Sequence, residues 1–105
     1  MPDDVVVVIQ FQARSGQAAV ARRELKALIG EVVAKEPDCL GILFHQDVDD
    51  ERRILLYERW TSQEAYTGPH LQTPYIRAFM ERSGGFMAGP PTISFWKMTD
   101  DYAGR

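Results

Sequence analysis

A chain of 105 residues, 45% of them hydrophobic and 26% charged, is long enough for one hydrophobic core and no more. Its formal charge of -3 offers no basic stripe to a nucleic acid, and a single cysteine excludes an internal disulfide. The longest aliphatic run, residues 5–9, is far below the ~18 residues that span a bilayer, and acidic Asp3 and Asp4 precede it where a leader would be basic. The expectation is one cytoplasmic domain over residues 1–105, with its core at about 5–98 and neither membrane nor nucleic acid as partner.

Residues 5–12 are the first predicted strand. Its run of Val5, Val6, Val7, Val8 and Ile9 implies burial on both faces, and a partner sheet is the natural second cover. After a turn at Arg14, Ser15 and Gly16, a helix over 17–35 places Ala21, Leu25, Leu28, Ile29 and Val32 on one stripe. Gly30 in that helix marks either a propensity loss near 1 kcal/mol or close packing on the sheet. Glu36 and Pro37 end it, and Cys39 reads as a small buried residue at the start of a second strand over 40–47. The acidic stretch 47–51 is a hairpin connection to a third strand that includes 55–60. With Phe44 opposite Leu56, the residues Leu40, Ile42 and Phe44 share a face with Leu56, Glu58 and Trp60, and Leu43 and His45 share the other with Leu55 and Tyr57.

The third strand stops at a capping box, Thr61 followed by Glu64, that opens a short helix. It ends at Tyr66 or Thr67, because Gly68 offers a left-handed cap and Pro69 cannot continue it. His70 then stands at a bend. Thr73 caps a further helix, with Pro74 preset for its first turn and Tyr75, Ile76, Phe79 and Met80 on one side. Glycines and prolines bracket Phe86 and Met87 in a loop expected to lean over a pocket mouth. A fourth strand over 92–98 and a polar tail over 99–105 complete the chain.

Two histidines, one cysteine and no HxxxH or HxxE spacing leave little from which to build a metal site, so no metal is expected. His70, with an ordinary pKa near 6.5, is either a general base or a side chain that only holds the bend. Glu58 is costly to bury unless paired, with His70, with an Arg59 of another chain or with a backbone amide. Trp60 and Tyr66 serve either as core aromatics or as walls of a cavity.

The pattern Glu58-x-Trp60-x-Ser62-x-Glu64-Ala65, then His70, Tyr75 and Phe79, resembles the antibiotic biosynthesis monooxygenase (ABM) family. That resemblance implies an α+β, ferredoxin-like βαββαβ fold with a four-stranded antiparallel sheet, paired as a dimeric α/β barrel. It also implies a cofactor-independent monooxygenase acting on a quinol or polyketide-type dihydroxyaromatic, taking molecular oxygen and a small aromatic or apolar substrate. On that reading His70 and Glu58 are catalytic, and Trp60, Tyr66, Leu56, Phe79 and Phe86 bind substrate. Leu56 and Met80 stand where relatives that oxidise quinols carry an Asn and an Arg. Ile9, His70 and Phe79 fill the positions of the Asn, Trp and His of haem-degrading relatives, so haem chemistry of that type is not expected, an axial His70 in another geometry is the one alternative, and the cofactor expectation is none. Alternatives are an isomerase using the same His70 and a non-catalytic dimeric ligand-binding barrel.

Overall fold

The computed structural model describes residues 4–104. Strand β1 (Val5–Gln12) leads into helix α1 (Ala18–Lys35), followed by β2 (Cys39–Gln46) and β3 (Arg53–Trp60). Helix α2 (Gln63–Thr67), a 3-10 turn (Pro69–Gln72) and helix α3 (Pro74–Arg82) precede a second 3-10 turn (Ser83–Gly85) and β4 (Thr92–Trp96). The strands form one antiparallel sheet in the order β2-β3-β1-β4. This is the expected α+β, ferredoxin-like arrangement. Beyond Trp96 the tail to residue 104 is exposed and without regular structure, and residue 105, like residues 1–3 with Asp3, lies outside the described residues.

Period-2 alternation decides which face is buried. Val5, Val7 and Ile9 of β1 and Ile54, Leu56, Glu58 and Trp60 of β3 turn toward α1 and α3 and are buried. Phe44 pairs with Leu56 and Ile42 with Glu58, as the strand patterns require. Leu40 departs from the expectation. A bulge between Cys39 and Gly41 sets Cys39 opposite Trp60 and leaves Leu40 out of the ladder and 43% exposed.

Helix α1 seats Ala21, Leu25 and Val32 in the core, whereas Leu28 and Ile29 stay half-buried. Gly30 meets no packing partner: a Cβ there would find nothing within 4 Å. The cap of α2 also lies one residue beyond the expected Thr61. Ser62 Oγ accepts from the Ala65 amide at 3.1 Å, while Thr61 donates its hydroxyl to Asp38 at 2.8 Å. Gly68 is not left-handed (φ -96°); a Cβ there would lie 2.9 Å from the Glu64 carbonyl oxygen, so close backbone approach demands the glycine. Thr73 and Pro74 start α3 as expected, with Thr73 Oγ1 accepting from the Ile76 amide.

Candidate functional site

Between the inner face of the sheet, α1, α3 and the segment 89–91 lies a cavity of about 460 Å³. Its walls are mainly apolar, with Ile9, Leu25, Leu56, Ile76 and Phe79 among them, and its titratable lining groups are Arg14, Glu58, Tyr66, His70 and Glu81. A volume of that order suits a small ring system.

Glu58 arrives from β3, where alternation forces its side chain inward, and is 4% exposed. Trp60, two residues along the same face, donates its indole N–H to Glu58 Oε1 at 2.9 Å. That bond stabilises the carboxylate, but burial outweighs it, and Glu36 adds like-charge repulsion; the Glu58 pKa is pushed up to about 7. At neutral pH Glu58 therefore exchanges a proton easily.

His70 is placed by the tight sequence of α2, Gly68 and Pro69 and is also 4% exposed. Its Nδ1 lies 3.0 Å from both oxygens of Glu36, the residue that closes α1. Glu36 also accepts a hydrogen bond from the Tyr75 hydroxyl. Because a carboxylate only accepts, Nδ1 carries the proton and Nε2 is left with its lone pair. Burial holds the His70 pKa below the ordinary imidazole value, with Glu36 pulling it part of the way back.

The rings of Trp60, Tyr66 and His70 pack against one another in an edge-on and tilted cluster. Centroids are 4.6 Å apart for Trp60 and His70, 4.8 Å for Tyr66 and His70, and 5.5 Å for Trp60 and Tyr66. Among the described residues no hydrogen bond engages His70 Nε2, Glu58 Oε2 or the Tyr66 hydroxyl, yet no buried side-chain N or O is left sealed without a partner. These three atoms therefore keep some accessible surface, and their residues line the cavity. The site combines a neutral imidazole, a carboxyl group poised to titrate and a phenol in one apolar chamber. Among the described residues no cluster of three or more His, Cys, Asp or Glu has the arrangement of a metal site.

The family profile of antibiotic biosynthesis monooxygenases matches residues 4–82. The chain belongs to the antibiotic biosynthesis monooxygenase family. Its fold superposes on PA3566 of Pseudomonas aeruginosa with a TM-score of 0.84 at 23% identity, covering 95% of this chain and 98% of that one. A candidate antibiotic biosynthesis monooxygenase from Caulobacter crescentus gives 0.83 at 25% identity, covering 94% and 92%. The uncharacterized protein sll1783 of Synechocystis is 32% identical over 65 residues; the match takes in 62% of this chain and spans 44% of that relative's length.

Within this ABM fold, Glu58, His70, Leu56, Tyr66 and Phe79 all border the cavity. Trp60 and Phe86 do not. Trp60 is wholly buried behind the polar groups, and Phe86 packs edge-on against Phe79 at 5.8 Å in the core instead of leaning over the mouth. Segment 13–14 draws the loop inward: Ala13 bridges to Met87, and the Arg14 amide donates to the Phe86 carbonyl. Gly89, Pro90 and Pro91 border the cavity in place of Phe86. Glu58 takes Trp60 as its partner, and Arg59 is paired with Asp4. Sequence reasoning missed Glu36 as the partner of His70. Its one signal is an acidic residue at the C-terminal end of α1, where the helix dipole disfavours negative charge.

Proposed function

We propose that this ABM protein is a cofactor-independent oxygenase of electron-rich dihydroxyaromatics, quinols or anthrones, with His70 as the general base and Glu36 as the residue that orients it. The observation that carries this reading is that Glu58, Tyr66 and His70, each with a polar atom outside any hydrogen bond among the described residues, line one largely apolar cavity. His70 Nε2 removes a proton from the substrate, and the resulting anion passes one electron to dioxygen. Radical and superoxide combine at the ring carbon, and the peroxide takes back the proton held by His70 to become a hydroperoxide. His70 then removes the remaining C–H proton as the O–O bond breaks and water leaves, so that the CH₂ of an anthrone, or of the keto tautomer of a quinol, plus O₂ becomes C=O plus H₂O. Glu58 supplies a proton to the departing oxygen, a role suited to a group with a pKa near 7. The dry walls keep the anion and oxygen together.

The active form we propose is a homodimer. The outer face of the sheet presents Leu43 at 60% exposure and Trp96 at 59%, with Val6 and Val8 half-buried beside them, and a second copy supplies a matching face.

An oxygen electrode tests the chemistry against a panel of quinols and anthrones. Substitution His70→Ala is expected to lower turnover by roughly 10²- to 10⁴-fold, the usual worth of a positioned base, with the loss shrinking at alkaline pH where substrate ionises unaided. Full turnover in a folded variant removes His70 as the base. Absence of oxygen uptake from every compound removes the oxygenase reading.

A further inference from the structure

The inner cavity is lined by groups whose charge depends on pH, but its outer end holds a permanent cation. Arg14 follows the end of β1 and lines the cavity beside Ser83 and Gly84. Its Nε donates to the Gly84 carbonyl at 2.7 Å, which clamps the guanidinium to the 3-10 turn after α3. No other side-chain bond or ion pair of Arg14 occurs among the described residues, so both terminal nitrogens keep their donors for something else. A planar guanidinium held by one edge presents the paired N–H groups that match a carboxylate or sulfonate.

We propose that Arg14 selects ligands bearing an anionic group, so that the site takes an aromatic acid with its acidic end at the mouth and its ring at Glu58, Tyr66 and His70. The inference rests on the cavity being the ligand site, as proposed above. Glu58 lies opposite Val7 in the sheet, and Val7 to Phe11 spans about 13 Å at ~3.3 Å per residue, so a fused or linked ring system bridges the two ends. The mouth also holds Glu81, whose carboxylate opposes an anion. Both side chains are exposed, but Glu81 has no hydrogen bond or ion pair among the described residues and turns freely into water, whereas the Arg14 guanidinium is held at Nε by the Gly84 carbonyl.

Two fluorescent probes of nearly the same shape test the assignment: 1-anilinonaphthalene-8-sulfonate and neutral N-phenyl-1-naphthylamine. The sulfonate is expected to bind about tenfold more tightly, a preference that weakens as salt is raised. Arg14→Gln should abolish the preference with little change for the neutral amine, and Glu81→Gln should increase it. Leu28→Trp, which fills the cavity, should remove both. Equal binding of the two probes, or a preference that survives Arg14→Gln or Leu28→Trp, overturns the role of Arg14. If neither probe binds, the cavity as ligand site falls with it.

Discussion

Glu58 and His70 have opposite linkage to stability, although both are displaced chiefly by burial. For Glu58, with a folded pKa of about 7 against 4.5 for the exposed group, the unfolded chain ionises first as pH rises. Stability is then lost between about pH 4.5 and 7, by an amount on the order of 3 kcal/mol at 1.36 kcal/mol per pH unit, and is constant above that. His70, held below 6.5, does the reverse: the unfolded chain takes up its proton first as pH falls, so stability declines below about pH 6.5. The two effects oppose each other in the mildly acidic range. Glu58→Gln, which keeps an acceptor for the Trp60 N–H, is therefore expected to gain stability relative to the parent as pH rises from 5 to 8. Chemical denaturation at both values measures it. A constant difference between the two proteins would mean that Glu58 ionises normally in the folded state.

Among the elements, two glycines give substitutions of opposite sign. Gly30 sits exposed in α1 with open space around its Cα, so Gly30→Ala is expected to stabilise by about 1 kcal/mol, the difference in helix propensity. Gly68→Ala drives a Cβ to 2.9 Å from a backbone oxygen of α2 and is expected to destabilise by roughly 1–3 kcal/mol, as overpacking does. It also displaces His70 two residues later. Thermal melting of the two variants should bracket the parent, and a melting point for Gly68→Ala at or above the parent's would show that the turn relaxes freely. The order and type of the elements were legible because alternation in β1 and β3 and the 3.6-residue stripe of α1 are strong signals. The details that failed depend on neighbours distant in sequence. Thr61 lost the cap to Ser62 because Asp38 claims its hydroxyl, and Leu40 left the ladder at a bulge. Phe86 went inward because Ala13 and Arg14 pull its loop onto the end of β1. Glu58, Tyr66 and His70, which border one cavity, were readable as candidates from one stretch of chain. Glu36 and Arg14 were not, since only the closed fold brings the end of α1 to the bend and the end of β1 to the mouth.

At the scale of the whole molecule, the protomer is a slab of 41 × 36 × 21 Å with a radius of gyration of 14.2 Å, where a compact chain of this length has about 13 Å. Its accessible surface is 7040 Å², against about 6,000 Å² for a compact monomer of its mass. Part of the excess is the extended tail. The uncovered sheet face, with Leu43 and Trp96 exposed, adds to it, and a standard interface would cover ~800 Å² on each partner. Alternation divides one strand between two faces: Val5, Val7 and Ile9 close the protomer's own core, while the half-buried Val6 and Val8 lie on the outer face, where the proposed second copy would sit. A charge on the outer face should thus separate assembly from folding. Leu43 is already 60% exposed, so Leu43→Asp costs the protomer little, but in a sheet-on-sheet dimer it buries an unpaired carboxylate. Sedimentation at micromolar concentration is expected to give twice the 11.9 kDa chain mass for the parent and the chain mass for the variant, with unchanged far-ultraviolet circular dichroism. A parent that sediments at 11.9 kDa would leave the outer face wet and rule out the proposed dimer, while a variant that stays dimeric would move the interface to another surface.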